Sequence, residues 1–413
     1  MAGQAANDGP PGYPSGVGSV YALTIHADYQ CHRSGVCCTS DWDVPVELSL
    51  YRSLGEALAT GTLSPAVDPG KGNSVFIVED DMPDGAAAMV GRTLDDGRCV
   101  FYHGGSGLCV IQRDVGEPQL PLTCRHFPRL AVRDNRGTFI SLTHYCPTAA
   151  AMLFRDDDMP IEILEVPPAF PPADYEGLRV DPEAWPPLLH PEMLMDLDGY
   201  SAWERHMVAR CNASSLSPES VVATLARDAR ALRAFQPGDG SLVAAVAALP
   251  ADPVQVAGDL QVSGPGIFEA SLLLHLAIMS AVPDDVRPER DEAGLREAFV
   301  HAVVPRWAAF HAPLRRYLAA KAFANWTAYQ GQGVLSIVRG LEAALALVRV
   351  EATRECRNAG LLLDAELLKQ AFRGADFVLN HLAVGEDLAQ AWSVVEDEAP
   401  IQKPKAQGPT QVS

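Results

Sequence analysis

The chain has too little positive charge to suit several broad functions. Its 413 residues include 32 Lys and Arg against 52 Asp and Glu, which gives a formal net charge of −20. Because binding to the DNA or RNA backbone depends on clustered basic residues, we expect no nucleic-acid partner. The same charge disfavours docking on anionic lipid.

Signals for export and for membrane insertion are also missing. Residues 1–20 carry no basic segment followed by an apolar one, so no secretory signal is predicted. Gly, Pro, Ser and Asn dominate these residues, which predicts a disordered N-terminus. The most apolar later stretch, Ile267 to Val282, is short and contains Glu269 and His275, so we expect no membrane span. The predicted location is the cytoplasm.

Several cofactor signatures are absent from the sequence. We find no G-x-G-x-x-G after a strand and no Walker A lysine, so the corresponding nucleotide-binding folds are not indicated. The Cys-x3-Cys-x2-Cys run of radical enzymes is missing as well.

What the chain does have is an uneven distribution of its nine cysteines. Seven of them fall in one stretch: Cys31, Cys37, Cys38, Cys99, Cys109, Cys124 and Cys146. A disulfide framework, a metal or iron–sulfur site and redox catalysis are the three explanations. The odd cysteine count, the cytoplasmic location and a chain large enough to fold without staples favour metal or iron–sulfur ligation as the explanation.

The identity of the metal stays open at this point. Four cysteines suffice for a [4Fe–4S] cluster or for one structural zinc, so seven allow two sites or one site with spare thiols. Four histidines lie within a few residues of a cysteine: His32, His103, His126 and His144. Each is either a further ligand or a surface or hydrogen-bonded histidine. Cys211 and Cys356 stand in helical context, where we expect small buried side chains.

Local patterns predict short strands around the cysteines. Cys99 to His103 and Leu108 to Gln112 are β-rich runs joined by Gly104–Gly107, a hairpin signal that brings Cys99 and Cys109 together. Phe139 to Thr143 predicts another strand, followed at Cys146-Pro147 by a helix through Leu153.

The predicted fold class is α+β, with a small irregular cysteine-cluster domain followed by a mainly helical domain. Ser217 and Asp364 are predicted helix caps, and no strand is expected after residue 195. Apolar residues predict three helix faces: Val221, Leu225, Ala229 and Leu232; Leu314, Leu318, Ala322 and Trp326; and Leu368, Phe372, Ala375, Leu379 and Leu382. The predicted boundaries are 1–20 disordered, 21–155 cysteine-cluster domain, 156–195 Pro-rich linker, 196–395 helical domain and 396–413 disordered tail.

The cysteine stretch also resembles a known family. The segments Cys31-x5-Cys37-Cys38, Cys99 to Arg129 with its Cys-Arg-His-Phe-Pro-Arg run, and Ser141 to Pro147 are similar to the YkgJ-like family of zinc- or iron-chelating cysteine-cluster proteins. Within that family they most resemble the flagellin lysine N-methylase branch, over residues 29 to 154. Arg33 to Val36 stands where that branch usually has an additional cysteine.

The resemblance implies that all seven cysteines supply ligands to an iron–sulfur cluster, in the first place [4Fe–4S], or to zinc. It further implies S-adenosylmethionine as methyl donor and a protein partner, possibly flagellin, whose lysines are methylated. No glycine-rich methyltransferase loop accompanies it. The alternative is a non-enzymatic metal-binding protein whose cluster is structural or a metal reservoir.

Two sets of basic residues stand out in this acidic chain. Arg125 and Arg129 flank His126, where they either hold an anionic group or, as we expect, make salt bridges that orient a loop. Arg315, Arg316 and Lys321 predict a solvated helix face.

Overall fold

The computed structural model describes residues 18–388, except 41, 68–73, 80–81, 84, 156–159, 171–176, 180–185, 257–259, 289–290, 330 and 384–386. The fold is α+β, as the sequence predicts: short strands dominate the first half and helices the second. The predicted disordered ends lie outside the described residues, apart from 18–20.

Twelve strands occur in the described residues, and five of them form the largest sheet. Its order is β10-β7-β8-β1-β9, with β1 parallel to β8 and antiparallel to β9. The first strand along the chain therefore lies inside the sheet. The strands are β1 Val20–Leu23, β2 Pro45–Glu47, β3 Phe76–Ile77, β4 Ala86–Val90, β5 Tyr102–His103, β6 Leu108–Cys109, β7 Arg129–Asp134, β8 Gly137–Leu142, β9 Ile163–Val166, β10 Gly177–Arg179, β11 Leu188–His190 and β12 Met193–Leu194.

The hairpin predicted around the cysteines is confirmed, but it is shorter than expected. The prediction of a strand through Gln112 is wrong, because a helix, Val110–Asp114, begins directly after Cys109. In the hairpin, Tyr102 pairs with Cys109 and His103 with Leu108, while Cys99 makes an isolated bridge to Arg92. The strand predicted at Phe139–Thr143 is β8, and the helix predicted after Cys146 is Pro147–Met152, with Pro147 in its first turn.

No strand follows Leu194 in the described residues, which confirms that expectation. The helices are α1 Val36–Thr39, α2 Leu48–Ala59, α3 Val110–Asp114, α4 Leu122–His126, α5 Pro147–Met152, α6 Leu197–Cys211, α7 Pro218–Leu232, α8 Leu242–Ala247, α9 Leu260–Ser280, α10 Leu295–Ala298, α11 Val304–Trp307, α12 His311–Ala322, α13 Val334–Ala359 and α14 Ala365–Phe377. Wider π-helical turns, Phe299–Val303 and Val378–Leu382, precede α11 and follow α14. None of the described helices is long and apolar enough to cross a membrane.

The predicted caps begin their helices. The Ser217 side chain accepts a hydrogen bond from the Ser220 amide, and Asp364 accepts one from Leu367. The residues predicted to face the core of α7 are all buried, as are Leu368, Phe372 and Ala375 of α14. The prediction that Trp326 continues the face of α12 is wrong, because the helix ends at Ala322, where the chain turns extended at Phe323.

The segment predicted as a Pro-rich linker, 156–195, carries strands in its described part. β9 and β10 pair with β1 and β7 of the large sheet, and β11 and β12 form a small hairpin. The largest cluster of buried apolar side chains joins Tyr21, Leu23 and Phe139 from the sheet to the helices from α6 onward. The domain boundaries themselves stay a prediction.

A close backbone approach at Gly333 gives a first test of this packing. Gly333 has φ +65°, and a Cβ there would overlap the carbonyl group of Leu188 in β11. Gly360, at the end of α13, has φ +67° but no atom within 4 Å of its Cβ position. We expect Gly360→Ala to cost about 1 kcal/mol of unfolding free energy from backbone strain alone. Gly333→Ala should cost about 1–2 kcal/mol more, because β11 must move. Denaturant unfolding of both variants checks this, and equal losses would contradict the close approach.

Candidate metal centre

All seven clustered cysteines line one cavity of about 370 Å³. They reach it from separate elements: Cys31 from a loop, Cys37 and Cys38 from α1, Cys99 from the bridge to Arg92, Cys109 from β6, Cys124 from α4, and Cys146 from the residue that precedes α5. All nine cysteines belong to the described residues, and none of them forms a disulfide. The structure therefore gathers in one place the residues that the sequence singled out.

Backbone contacts hold these loops around the cavity. The Cys99 amide donates to the Cys38 carbonyl at 2.8 Å, and the Arg92 guanidinium donates to the carbonyls of Ser40 and Trp42. Gly35, with φ +73°, starts α1 directly against Tyr102, whose ring carbon would lie 2.6 Å from a Cβ at this position. Only glycine meets both conditions without strain, which fixes Cys37 and Cys38 beside the hairpin.

The thiols influence one another electrostatically. The Sγ atoms of Cys37 and Cys38 lie 3.9 Å apart, and a hydrogen bond from Cys38 lowers the pKa of Cys37. The pKa of Cys38 is raised because its thiol donates that hydrogen bond to Cys37 and because it is buried. Burial raises the pKa of Cys99 to about 11, and burial together with neighbouring thiolates raises that of Cys124. Without a cation, most of these thiols therefore stay protonated at neutral pH.

The described residues do not form a finished coordination site. No three of their His, Cys, Asp or Glu side chains are arranged so that they could hold a metal ion as they stand. The histidines add nothing to the cavity, because none of the four candidates is among its lining residues. His32 and His103 are exposed, whereas His126 and His144 are buried elsewhere.

Cys211 and Cys356 take no part in the cavity. Both are buried in the helical core, in α6 and α13, as the sequence predicts. Burial raises the pKa of Cys211 to about 12 and that of Cys356 to about 11. Cys211 and Cys356 are therefore suitable controls for substitutions of the seven cysteines that line the cavity.

A second cavity of about 620 Å³ adjoins the first, and Phe127 and Arg129 line both. It lies between β7 and β8 of the sheet and the helices α12 and α13. Sequence reasoning missed this cavity, because its lining comes from segments that no motif connects. Its polar lining includes His126, Lys321 and His381.

The prediction of a solvated basic face on α12 is wrong. Arg315 is buried and donates to the Leu216 carbonyl, while Arg316 donates to the Leu153 carbonyl at 3.0 Å. Lys321, only 15% exposed, pairs with the fully buried Asp376 at 2.6 Å. These basic side chains satisfy carbonyl and carboxylate oxygens inside the protein.

A buried polar network lies beside this ion pair. Asp376 accepts hydrogen bonds from Tyr317 at 2.7 Å, from the backbone and ring of His144, and from Lys321. Burial alone would raise the pKa of Asp376, but Lys321 and His144 hold it well below the usual range. Since Nδ1 of His144 donates to this carboxylate, its Nε2 accepts from Nε2 of His26, 3.3 Å away. Burial lowers the pKa of both histidines.

Comparison with protein-family models, with curated proteins and with solved structures finds no match to this chain.

Proposed function

We propose that this protein binds a thiophilic metal centre, an iron–sulfur cluster or zinc, in the cavity lined by its seven cysteines. The observation that carries the proposal is that seven cysteines, spread over more than a hundred residues, line one cavity with no disulfide among them. Burial and, after it, neighbouring thiolates raise the pKa of Cys124, and a bound cation would stabilise its thiolate form.

The donor set suits either metal centre. In tetrahedral zinc–thiolate sites the Zn–S bond is about 2.3 Å, which separates the sulfurs by roughly 3.8 Å. The Cys37–Cys38 separation of 3.9 Å is close to that value. The same thiols exceed the four needed for a [4Fe–4S] cluster. A bound centre would contribute folding free energy and, if it contains iron, would supply electron transfer. Side-chain rotation would have to bring the remaining sulfurs together.

Metal analysis tests this proposal. Protein purified without oxygen is expected to contain iron with acid-labile sulfide, or stoichiometric zinc. Cys38→Ser and Cys124→Ser should lose most of the metal, because each removes a sulfur from the cavity, whereas Cys211→Ser and Cys356→Ser should retain it. Fully folded wild-type protein without any metal would contradict the proposal. Equal metal content in all four variants would show that Cys38 and Cys124 do not bind the metal.

The cytoplasm is the location we propose, since thiols stay reduced there. This agrees with nine free cysteines in the described part of the chain.

We further propose, as a second and more specific candidate, that the protein is an S-adenosylmethionine-dependent protein-lysine N-methyltransferase with flagellin or a similar protein as substrate. The specific observation in its favour is the second cavity, whose volume of about 620 Å³ is typical of sites for small organic molecules. It shares Phe127 and Arg129 with the cysteine cavity. The net charge of −20 favours a protein partner that presents lysines.

A lysine substrate must lose a proton before it can act as a nucleophile. His126 lines the second cavity, whereas His144 is buried against Asp376 and does not. His381 also lines this cavity, and burial lowers its pKa to about 4, so its ring is neutral at pH 7. His126 is therefore the candidate proton acceptor, because a ring with a pKa of about 4 is too weak a base at neutral pH.

Incubation of metal-loaded protein with labelled donor and purified flagellin separates the two candidates. Labelled flagellin is the result expected of an enzyme, with loss of labelling in Cys124→Ser but not in Cys211→Ser. A metal-loaded protein that labels neither flagellin nor any protein of a cell extract would leave the non-enzymatic alternative, a structural cluster or a metal reservoir.

A further inference from the structure

Arg125 and Arg129 lie where the two cavities meet. Both line the cysteine cavity, and Arg129 also lines the larger one. The Arg129 guanidinium lies 5.1 Å from the ring centre of Tyr29 and 5.2 Å from that of Phe170, and the Arg125 guanidinium is 6.0 Å from the Phe170 ring. Aromatic contacts of this kind orient a guanidinium and leave its N–H edge available for an oxygen ligand.

The salt bridges expected for these two arginines are not found among the described residues. In the part of the chain that the structure describes, neither Arg125 nor Arg129 pairs with a carboxylate, and Nε of Arg125 is buried without a hydrogen-bond partner. Nε of Arg92 is also buried without a partner, but its two terminal nitrogens donate to backbone carbonyls. Lys321 pairs with Asp376. A buried guanidinium N–H without an acceptor is costly, so an anionic ligand would be stabilised here.

The surroundings strengthen this preference for an anion. Among the described residues that line the larger cavity, none is Asp or Glu. The lining of the cysteine cavity includes one acidic residue, the exposed Glu117. In a chain with a net charge of −20, this is a local excess of positive charge at a concave surface.

We propose that Arg125 and Arg129 hold the carboxylate of a small organic molecule whose body occupies the 620 Å³ cavity. The planar fork of a guanidinium matches a carboxylate with two parallel hydrogen bonds. The identity of the molecule rests on the second proposed function, under which it is the methyl donor with its single carboxylate. Arg125 and Arg129 then determine which donors bind, and the carboxylate end lies on the side of the cysteine cavity.

A competing role for the two arginines is to neutralise the thiolates of the metal centre. The two roles differ in what the arginines recognise. A carboxylate site discriminates between S-adenosylmethionine and decarboxylated S-adenosylmethionine, which differ in that one group. A counter-charge for the centre affects metal content and does not distinguish the two ligands.

Calorimetric titration of metal-loaded, full-length protein with these two ligands tests the proposal. Wild type is expected to bind S-adenosylmethionine at least about 10-fold more tightly than the decarboxylated compound, as hydrogen bonds to a charged group imply. In Arg129→Gln and Arg125→Gln this ratio should fall towards one with metal content unchanged. Arg129→Lys should keep part of the ratio, and the exposed Arg230→Gln should keep all of it.

Each other outcome overturns the proposal in a distinct way. Equal binding of both ligands to wild type rules out the carboxylate site and leaves the methyltransferase candidate in place. Loss of metal in the arginine variants, with the ratio between ligands unchanged, assigns the arginines to the metal centre. Binding of neither ligand by the metal-loaded protein removes the methyl donor and this site together, and the metal-binding proposal stands.

Discussion

Replacing Asp376 by Asn is expected to lower the free energy of unfolding by about 3–5 kcal/mol, because one partner of a buried ion pair is removed. The carboxylate is fully buried and accepts from Tyr317, His144 and Lys321. Asparagine has nearly the same shape, but it is neutral. Its NH2 group is a hydrogen-bond donor and would lie against the donor groups that now bind the carboxylate. Lys321 would keep its charge in a site where only 15% of its side chain reaches solvent.

Chemical denaturation of Asp376→Asn measures this loss, with Glu366→Gln in α14 as the matched control. Glu366 is 75% exposed and pairs with Lys369 at 2.7 Å, so its neutralisation should cost no more than about 1 kcal/mol. The double variant Asp376→Asn/Lys321→Met should be more stable than Asp376→Asn alone, because the unpaired charge is gone. A free energy of unfolding of Asp376→Asn within about 1 kcal/mol of the wild-type value would contradict this prediction. The buried network would then contribute little to stability.

The second large effect is a loss of stability in mild acid. His381 contacts Trp42 and Tyr145, with ring centres 4.9 and 5.5 Å away, and burial lowers its pKa to about 4. Asp376 acts to raise this pKa and Lys321 to lower it, but burial dominates. Between about pH 6.5, the ordinary value for histidine, and pH 4, the unfolded chain binds the proton and the folded one does not.

The free energy of unfolding therefore rises with pH across this window. The contribution of His381 is complete above about pH 6.5, is lost as the pH falls toward 4, and amounts to about 3 kcal/mol. Unfolding curves at pH 7.5, 6, 5 and 4 should show a shallower slope in His381→Gln than in wild type. His26 remains in that variant and keeps part of the slope. The exposed His103→Gln is the control, and an unchanged slope in His381→Gln would refute the assignment.

Local chemistry made part of this structure predictable. The glycines between Tyr102 and Leu108 indicated the hairpin, and Ser217-Pro218 and Asp364 indicated helix starts, because turns and caps depend on neighbouring residues. The cysteines were predictable as a group because seven of the nine fall in one stretch of the sequence. All seven cysteines line one cavity. No local sequence pattern predicted how loops so far apart in the chain would come together.

Contacts between residues that are distant in the sequence could not be predicted in this way. Lys321, Asp376 and His144 form one network from three distant segments, and nothing near any of them in the sequence indicates the others. Lys321 was expected in solvent because a single basic residue on a helix has no visible partner. The salt bridges expected for Arg125 and Arg129 rested on how commonly such pairs occur, and that frequency takes no account of the two cavities beside them.

The position of β1 within the sheet has a consequence for the order of events on the ribosome. Val20 pairs with Thr138 of β8 and with Val166 of β9, so β1 is synthesised well before either neighbour exists. At about 5–20 residues per second, translation needs on the order of ten seconds to supply them. All seven cysteines of the cavity lie between β1 and β9 in the chain and emerge during that interval. Every one of these thiols is therefore present in the nascent chain before the large sheet can close.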